Sequence, residues 1–110
     1  MTIAGIGVDI ENISRFYSKP YDKNKPFYNK IFTSNEIRYC ISKPNPYQHF
    51  AARFCAKEAF IKAMPNQGID HKSAEIVIKN HRPFIRWKGK HFLASLAHEK
   101  NKAIAAVIVA

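Results

Sequence analysis

Only two cysteines, Cys40 and Cys55, occur in the 110 residues, and they follow no CxxC or zinc spacing. A secreted disulfide framework of this size carries more cysteine, so both thiols are expected to be reduced. Nowhere do about 18 apolar residues run together, which leaves no candidate membrane-spanning helix. MTIAGIGVDI has no basic leader, and its apolar run is broken by Asp9. A soluble, cytoplasmic protein is expected. Repeats and low-complexity tracts are missing too, and half of such a chain would be too small to bury a stable core, so residues 1–110 are expected to form one domain. Acid is scarce: eight Asp and Glu against eighteen Lys and Arg leave a formal charge of +10. That surface attracts acidic partners, whether nucleic acid, an acidic protein or a phosphate-rich small molecule, and charge alone does not choose among them. What is plentiful is apolar material, at 46% of residues, which excludes a disordered chain.

TIAGIGVDI is β-branched and punctuated by glycine, as suits a buried first strand whose backbone is closely approached near Gly5 or Gly7, with Asp9 near its end. ENISRFYSK continues as a short helix in this reading, with Ile10, Ile13 and Tyr17 inward and Glu11, Ser14 and Arg15 outward. Residues 18–30 show no clear period and read as a basic surface loop. Thr33 and Glu36 are spaced as a capping box that opens a helix ending before Pro44. KPNPYQ is a linker. From Tyr47 to Met64 there is no Gly or Pro, and Phe50, Phe54, Ile61 and Met64 fall at helical spacing, which predicts the longest helix. Four short segments follow, AEIVI, RPFIRW, HFLASLA and KAIAAVIVA, with hairpin turns at WKGK and HEKN. The expected fold class is α+β, a mainly antiparallel sheet packed against the long helix. The last strand is apolar at nearly every position and is expected to be central or covered by another subunit.

The long helix holds one acid, Glu58, among Arg53, Lys57 and Lys62. The plain reading is a Glu58–Lys62 pair at i, i+4, worth about 0.2–0.5 kcal/mol. The sharper reading adds Asp9: two carboxylates between a strand end and a helix suit Mg²⁺, which keeps most of its waters and takes further ligands from substrate phosphates. Arg53, Lys57 and Lys62 then neutralise those phosphates. His71, His81 and His91 have no metal-ligand spacing and read as surface or structural residues. His98 follows a strand at a hairpin, within reach of a phosphate. Trp87, Phe84 and Phe92 read as core.

GIGVDIENISRF, FAARFCAKEAFIKA and SLAHEKNKAIAAVIV together resemble the holo-[acyl-carrier-protein] synthases, the short-chain 4′-phosphopantetheinyl transferases. The likeness is collinear from residue 3 to residue 109. It implies an enzyme that transfers phosphopantetheine from coenzyme A to a serine of apo acyl carrier protein, in fatty acid biosynthesis, releasing 3′,5′-ADP and requiring Mg²⁺. By the same resemblance Asp9 and Glu58 match the metal-binding carboxylates, and Lys62 the lysine that contacts phosphate and assists the leaving group. Arg53 and His98 match positions that bind coenzyme A phosphates, Pro83 the proline of a loop over the nucleotide, and Arg15 a basic residue that docks the carrier. Family members are typically homotrimers with shared sites. Glu58, directly or through a water, is the candidate base for the serine proton.

The chain departs from the family pattern after the long helix, where KAMPNQG stands for KAxGTG, at His81 in place of a common glycine, at Lys102 in place of an aromatic, and in a short Trp87–His91 connection. Two other readings compete. One is a degenerate relative that binds coenzyme A or a carrier without transfer. The other is a small basic nucleic-acid-binding module, against which stand the two acids and the lack of any recognition signature.

Overall fold

The computed structural model describes residues 2–110. Strand β1 (Gly5–Asn12) leads into a single helical turn, α1 (Ser14–Tyr17). A 3-10 turn (Tyr21–Lys23) and three helices follow: α2 (Lys25–Ile31), α3 (Ser34–Ile41) and α4 (Pro46–Ala63). A second 3-10 turn (His71–Ser73) precedes β2 (Glu75–Lys79), β3 (Arg82–Trp87), β4 (Lys90–His98) and β5 (Lys102–Val109). The strands form one antiparallel sheet in the order β1-β5-β4-β3-β2. The α+β expectation and the four late strands are therefore met, and β5 is an inner strand.

Three local readings are corrected. β1 runs on through Asn12, so its period of two puts Ile6, Val8 and Ile10 on the outer face, where Ile10 is 60% exposed, and turns Asp9 and Glu11 toward α4. The short helix buries Ile13 as expected but seats Phe16, not Tyr17, in the core. Residues 18–30 are not a loop. Pro26 sits in the first turn of α2, where its missing N–H costs nothing, and Tyr28 is fully buried against Phe16, Phe32 and Phe50. An aromatic cluster, invisible as a period in a lysine-rich stretch, is what folds this segment.

The capping box at α3 is complete: Glu36 N donates to Thr33 Oγ1 at 3.2 Å and Thr33 N to Glu36 Oε1 at 2.8 Å. The β2–β3 and β3–β4 turns need left-handed backbone, at Asn80 and His81 (φ 51° and 63°) and at Lys88 and Gly89 (φ 49° and 74°). His81 thus occupies a conformation that favours glycine, which accounts for that departure from the family pattern being a strained one.

Helix α4 is buried on nearly every side, wedged between the sheet and the other helices. Two glycines of β1 allow this. A Cβ on Gly7 would lie 1.8 Å from the Ala59 carbonyl oxygen, and one on Gly5 would lie 2.1 Å from that of Ala63. Strand and helix backbones touch, with the small residues Ala59 and Ala63 on the other side. On a different side of α4, Lys57 is fully buried and all three of its N–H donors are used, on Glu36 Oε1 (2.9 Å), His71 O (2.7 Å) and Ala74 O (2.8 Å). Glu36 Oε2 in turn accepts from Ile76 N at 2.8 Å. Burial pulls the Lys57 ammonium below its ordinary value, against the Glu36 charge. Removing one partner of such a pair costs about 3–5 kcal/mol. Lys57 is therefore a structural tie between α4, α3 and β2, and is not free to neutralise substrate phosphates.

Candidate active site

The close approach of β1 to α4 brings Asp9, Glu58 and Lys62 to one place. Lys62 Nζ donates to Asp9 Oδ1 at 2.9 Å and to the Val8 carbonyl at 3.2 Å. The hydrogen bond to Asp9 and its charge raise Lys62 above the ordinary lysine value, with Glu58 and Glu11 adding to the same effect, so Lys62 is a cation facing three carboxylates. Asp9 Oδ2 is buried and has no hydrogen-bond partner among the described residues. Glu58, one turn before Lys62, is bonded through Oε1 to His71 Nε2 at 3.0 Å. Cys55 lies beneath, its Sγ 3.3 Å from the Ala103 carbonyl. Burial and the Asp9 and Glu11 charges push its thiol up to about 12, so it is no nucleophile at neutral pH.

Sequence reading placed Glu11 outside; it faces α4 beside Asp9, and burial followed by the Asp9 carboxylate raises it. Arg15 offsets that charge, donating to Glu11 Oε1 at 3.2 Å, and lays its guanidinium 4.6 Å from the centre of the Phe54 ring. The rim of the carboxylate site is thus basic at Arg15 and Lys62.

Arg53 and His98 lie elsewhere on the domain, together. Arg53 is buried, with its guanidinium 4.0 Å from the centre of the Tyr39 ring and Nη1 donating to the His49 carbonyl at 3.4 Å; its Nε has no partner among the described residues. The His98 ring is 5.8 Å from that of His49, and Lys43 also covers Tyr39. Burial, then the Arg53, His98 and Lys43 charges, lower His49. The surroundings of His49 are therefore basic, with Arg53, Lys43 and His98 all close to it. His49 was missed in the sequence, although it stands one helical turn before Arg53, a spacing that would have shown it. Pro83 joins neither group. It sits on β3, three strands from β1 and so about 14 Å away, where it lines a recess of about 430 Å³ with Arg82, Leu93 and Ser95.

The donor set fits a hard cation. It is all oxygen and includes the orphaned Asp9 Oδ2, and two carboxylates suffice for an ion that keeps most of its waters; no group of three or more His, Cys, Asp or Glu side chains placed to hold a metal occurs among the described residues.

Residues 5–109 match the family model of the 4′-phosphopantetheinyl transferase superfamily. The holo-[acyl-carrier-protein] synthase of Thermodesulfovibrio yellowstonii is 42% identical over 116 aligned residues, which cover 97% of this chain and 98% of that protein. The synthase of Geotalea daltonii is 35% identical, with 97% and 98% covered. Among solved structures, the Bacillus anthracis holo-(acyl-carrier-protein) synthase in complex with CoA (3′,5′-ADP) matches at a TM-score of 0.82 and 26% identity, over 98% of this chain and 96% of that one. The Helicobacter pylori synthase in complex with coenzyme A matches at 0.83 and 25%, over 96% and 99%.

Proposed function

The chain belongs to the 4′-phosphopantetheinyl transferase superfamily, and on that premise we propose that it transfers 4′-phosphopantetheine from coenzyme A to a serine of apo acyl carrier protein, releasing 3′,5′-ADP. It is an enzyme, and coenzyme A is its co-substrate, a reading supported by the coenzyme A complexes of the Bacillus anthracis and Helicobacter pylori relatives. The observation that carries the reading is the meeting of Asp9, Glu58 and Lys62 at the β1–α4 contact, from positions about fifty residues apart in the chain.

Asp9 and Glu58 would hold Mg²⁺, which, when bound, supplies Lewis-acid stabilisation of charge on phosphate oxygens. The chain's own residues do the remainder. Lys62, kept cationic at the rim by Asp9, pairs with the pyrophosphate oxygens and with the oxygen that departs with 3′,5′-ADP. The serine hydroxyl attacks the β-phosphorus in line, and Glu58 takes its proton, directly or through a water. Arg53 and His98, with His49 beside them, bind phosphate of coenzyme A. Arg15 and the +10 surface bring in the acidic carrier protein.

The assembly is a homotrimer. The outer face of the sheet leaves Ile6 73% and Leu93 54% exposed, in register with Ile108, while Val8, Ile10 and Ile104 extend the patch. Apolar surface of that extent on a sheet calls for a partner, and a site shared between subunits, as the family resemblance implies, would account for Pro83 lying three strands from β1 in its own chain. The free, buried thiols of Cys40 and Cys55 suit a reducing cytoplasm, and modification of a carrier of acyl chains would serve fatty acid biosynthesis.

Incubation of the purified protein with coenzyme A, Mg²⁺ and apo acyl carrier protein tests the activity: one phosphopantetheine should be added to the carrier by intact mass, and excess EDTA should stop the addition. No mass shift on any acyl carrier protein would overturn the reading. Sedimentation tests the assembly. The wild type should run at about three times the 12.6 kDa chain mass, and Ile108→Glu, which puts a charge in the patch, should run as a monomer. A wild type that sediments as a monomer refutes the trimer.

A further inference from the structure

His71 lies outside the motifs that carry the family likeness, yet its imidazole is turned onto Glu58, with Nε2 3.0 Å from Oε1. Facing an ionised carboxylate, which only accepts, Nε2 carries the proton and donates. Further contacts fix the ring and the backbone that carries it. It stacks on Phe54, 5.3 Å between centroids and 14° between planes. Its own carbonyl accepts from the buried Lys57 Nζ at 2.7 Å. Asp70 closes the turn that carries it, accepting from Lys72 N at 3.0 Å through Oδ1 and from Ser73 Oγ at 2.7 Å through its carbonyl. Phe54, Lys57 and Glu58 belong to neighbouring positions of α4, so the helix that presents the carboxylate also anchors the ring and the backbone of the residue that bonds it.

The two carboxylates of the site are thereby treated alike. Asp9 has Oδ1 engaged by Lys62 and Oδ2 left without a partner; Glu58 has Oε1 engaged by His71, and Oε2 makes no hydrogen bond among the described residues. A donor on one oxygen restricts rotation of the carboxylate and leaves the other for an ion. We infer that His71 is a positioning residue for Glu58, donating from Nε2 to Oε1 so that Oε2 is held for the divalent cation. The inference rests on the metal reading given above. Outer-shell donors to a metal-binding group change metal affinity by about 10–100-fold when removed.

The test is Mn²⁺ affinity, measured by electron paramagnetic resonance on protein saturated with coenzyme A and without carrier, so that no turnover contributes. His71→Phe keeps an aromatic ring against Phe54 but has no donor; His71→Gln has an N–H donor but no ring. The expected result is a Kd for Mn²⁺ raised about 10-fold or more in His71→Phe and returned most of the way in His71→Gln. In the transfer assay His71→Phe should then recover rate as Mg²⁺ is raised, with KM for the carrier unchanged. Two results overturn the inference: His71→Phe binding Mn²⁺ as the wild type does while Glu58→Gln does not, or His71→Phe and His71→Gln losing affinity equally, which assigns His71 to packing alone. Mn²⁺ held as tightly by Glu58→Gln as by the wild type overturns instead the metal reading on which it rests.

Discussion

Glu58→Gln and Asp9→Asn are each expected to lower kcat/KM for phosphopantetheine transfer by about 10²–10³-fold without unfolding the protein. Both exchanges preserve shape and remove one negative charge. In Asp9→Asn the loss is double. The buried Oδ2 edge no longer carries charge for a cation, and Lys62, which keeps the amide oxygen and the Val8 carbonyl as acceptors, loses the charge that pairs with it. In Glu58→Gln the amide retains a hydrogen-bonding oxygen for His71, so the fold around the 3-10 turn survives while the charge and the proton acceptor are lost. Steady-state kinetics over a Mg²⁺ titration, with circular dichroism to confirm folding, reads the effect. Both variants retaining wild-type rates at ordinary Mg²⁺ would remove the two acids from the chemistry.

Gly7→Ala should be the most damaging single methyl in the chain. Its Cβ would sit 1.8 Å from the Ala59 oxygen, 2.8 Å from the Ala59 carbonyl carbon and 3.1 Å from the Ala63 nitrogen. All three are backbone atoms of α4, so no side chain swings aside to relieve the clash; the strand and the central helix must separate. The expected cost is about 4 kcal/mol or more, at the extreme of single substitutions, against a total stability of about 5–15 kcal/mol for a domain. Gly68→Ala is the control. Gly68 has φ +62° but open space around it, so that change should cost only about 1–2 kcal/mol of backbone strain. Urea denaturation of the two variants separates crowding from strain. Equal midpoints for Gly7→Ala and wild type would show that β1 and α4 are not in contact. The same substitution moves Asp9 relative to Glu58 and should abolish transfer as a consequence.

Much of this architecture was legible. The capping box, the long helix and four late strands each rest on a local signal: a side-chain bond three residues along, a period of 3.6, or a run of β-branched and aromatic residues between turns. α2 was not legible, because its signal is burial of Tyr28 among Phe16, Phe32 and Phe50, contacts that do not recur at a fixed spacing amid the lysines. Glu11 was misplaced because a strand and a helix give opposite faces to the same residue, and the boundary between them decides which. Lys57 reads in sequence as one more base beside Glu58. Only its burial and its three acceptors, from α3 and the segment before β2, reveal a structural lysine.

By itself the sequence determined the fold class, the family and the chemical types of the site: hard carboxylates, a lysine beside them and a cationic surface for anionic partners. Those are properties of residue identity and short-range order. The tertiary structure decided which charges face one another. Gly5 and Gly7 let two backbones meet, and that contact sets Asp9 against Lys62 and Glu58, sends Arg53 to a separate cluster with His98, and brings His71 onto Glu58. Electrostatic coupling falls with distance through space and not with separation along the chain, so it is fixed only when the strand and the helix pack.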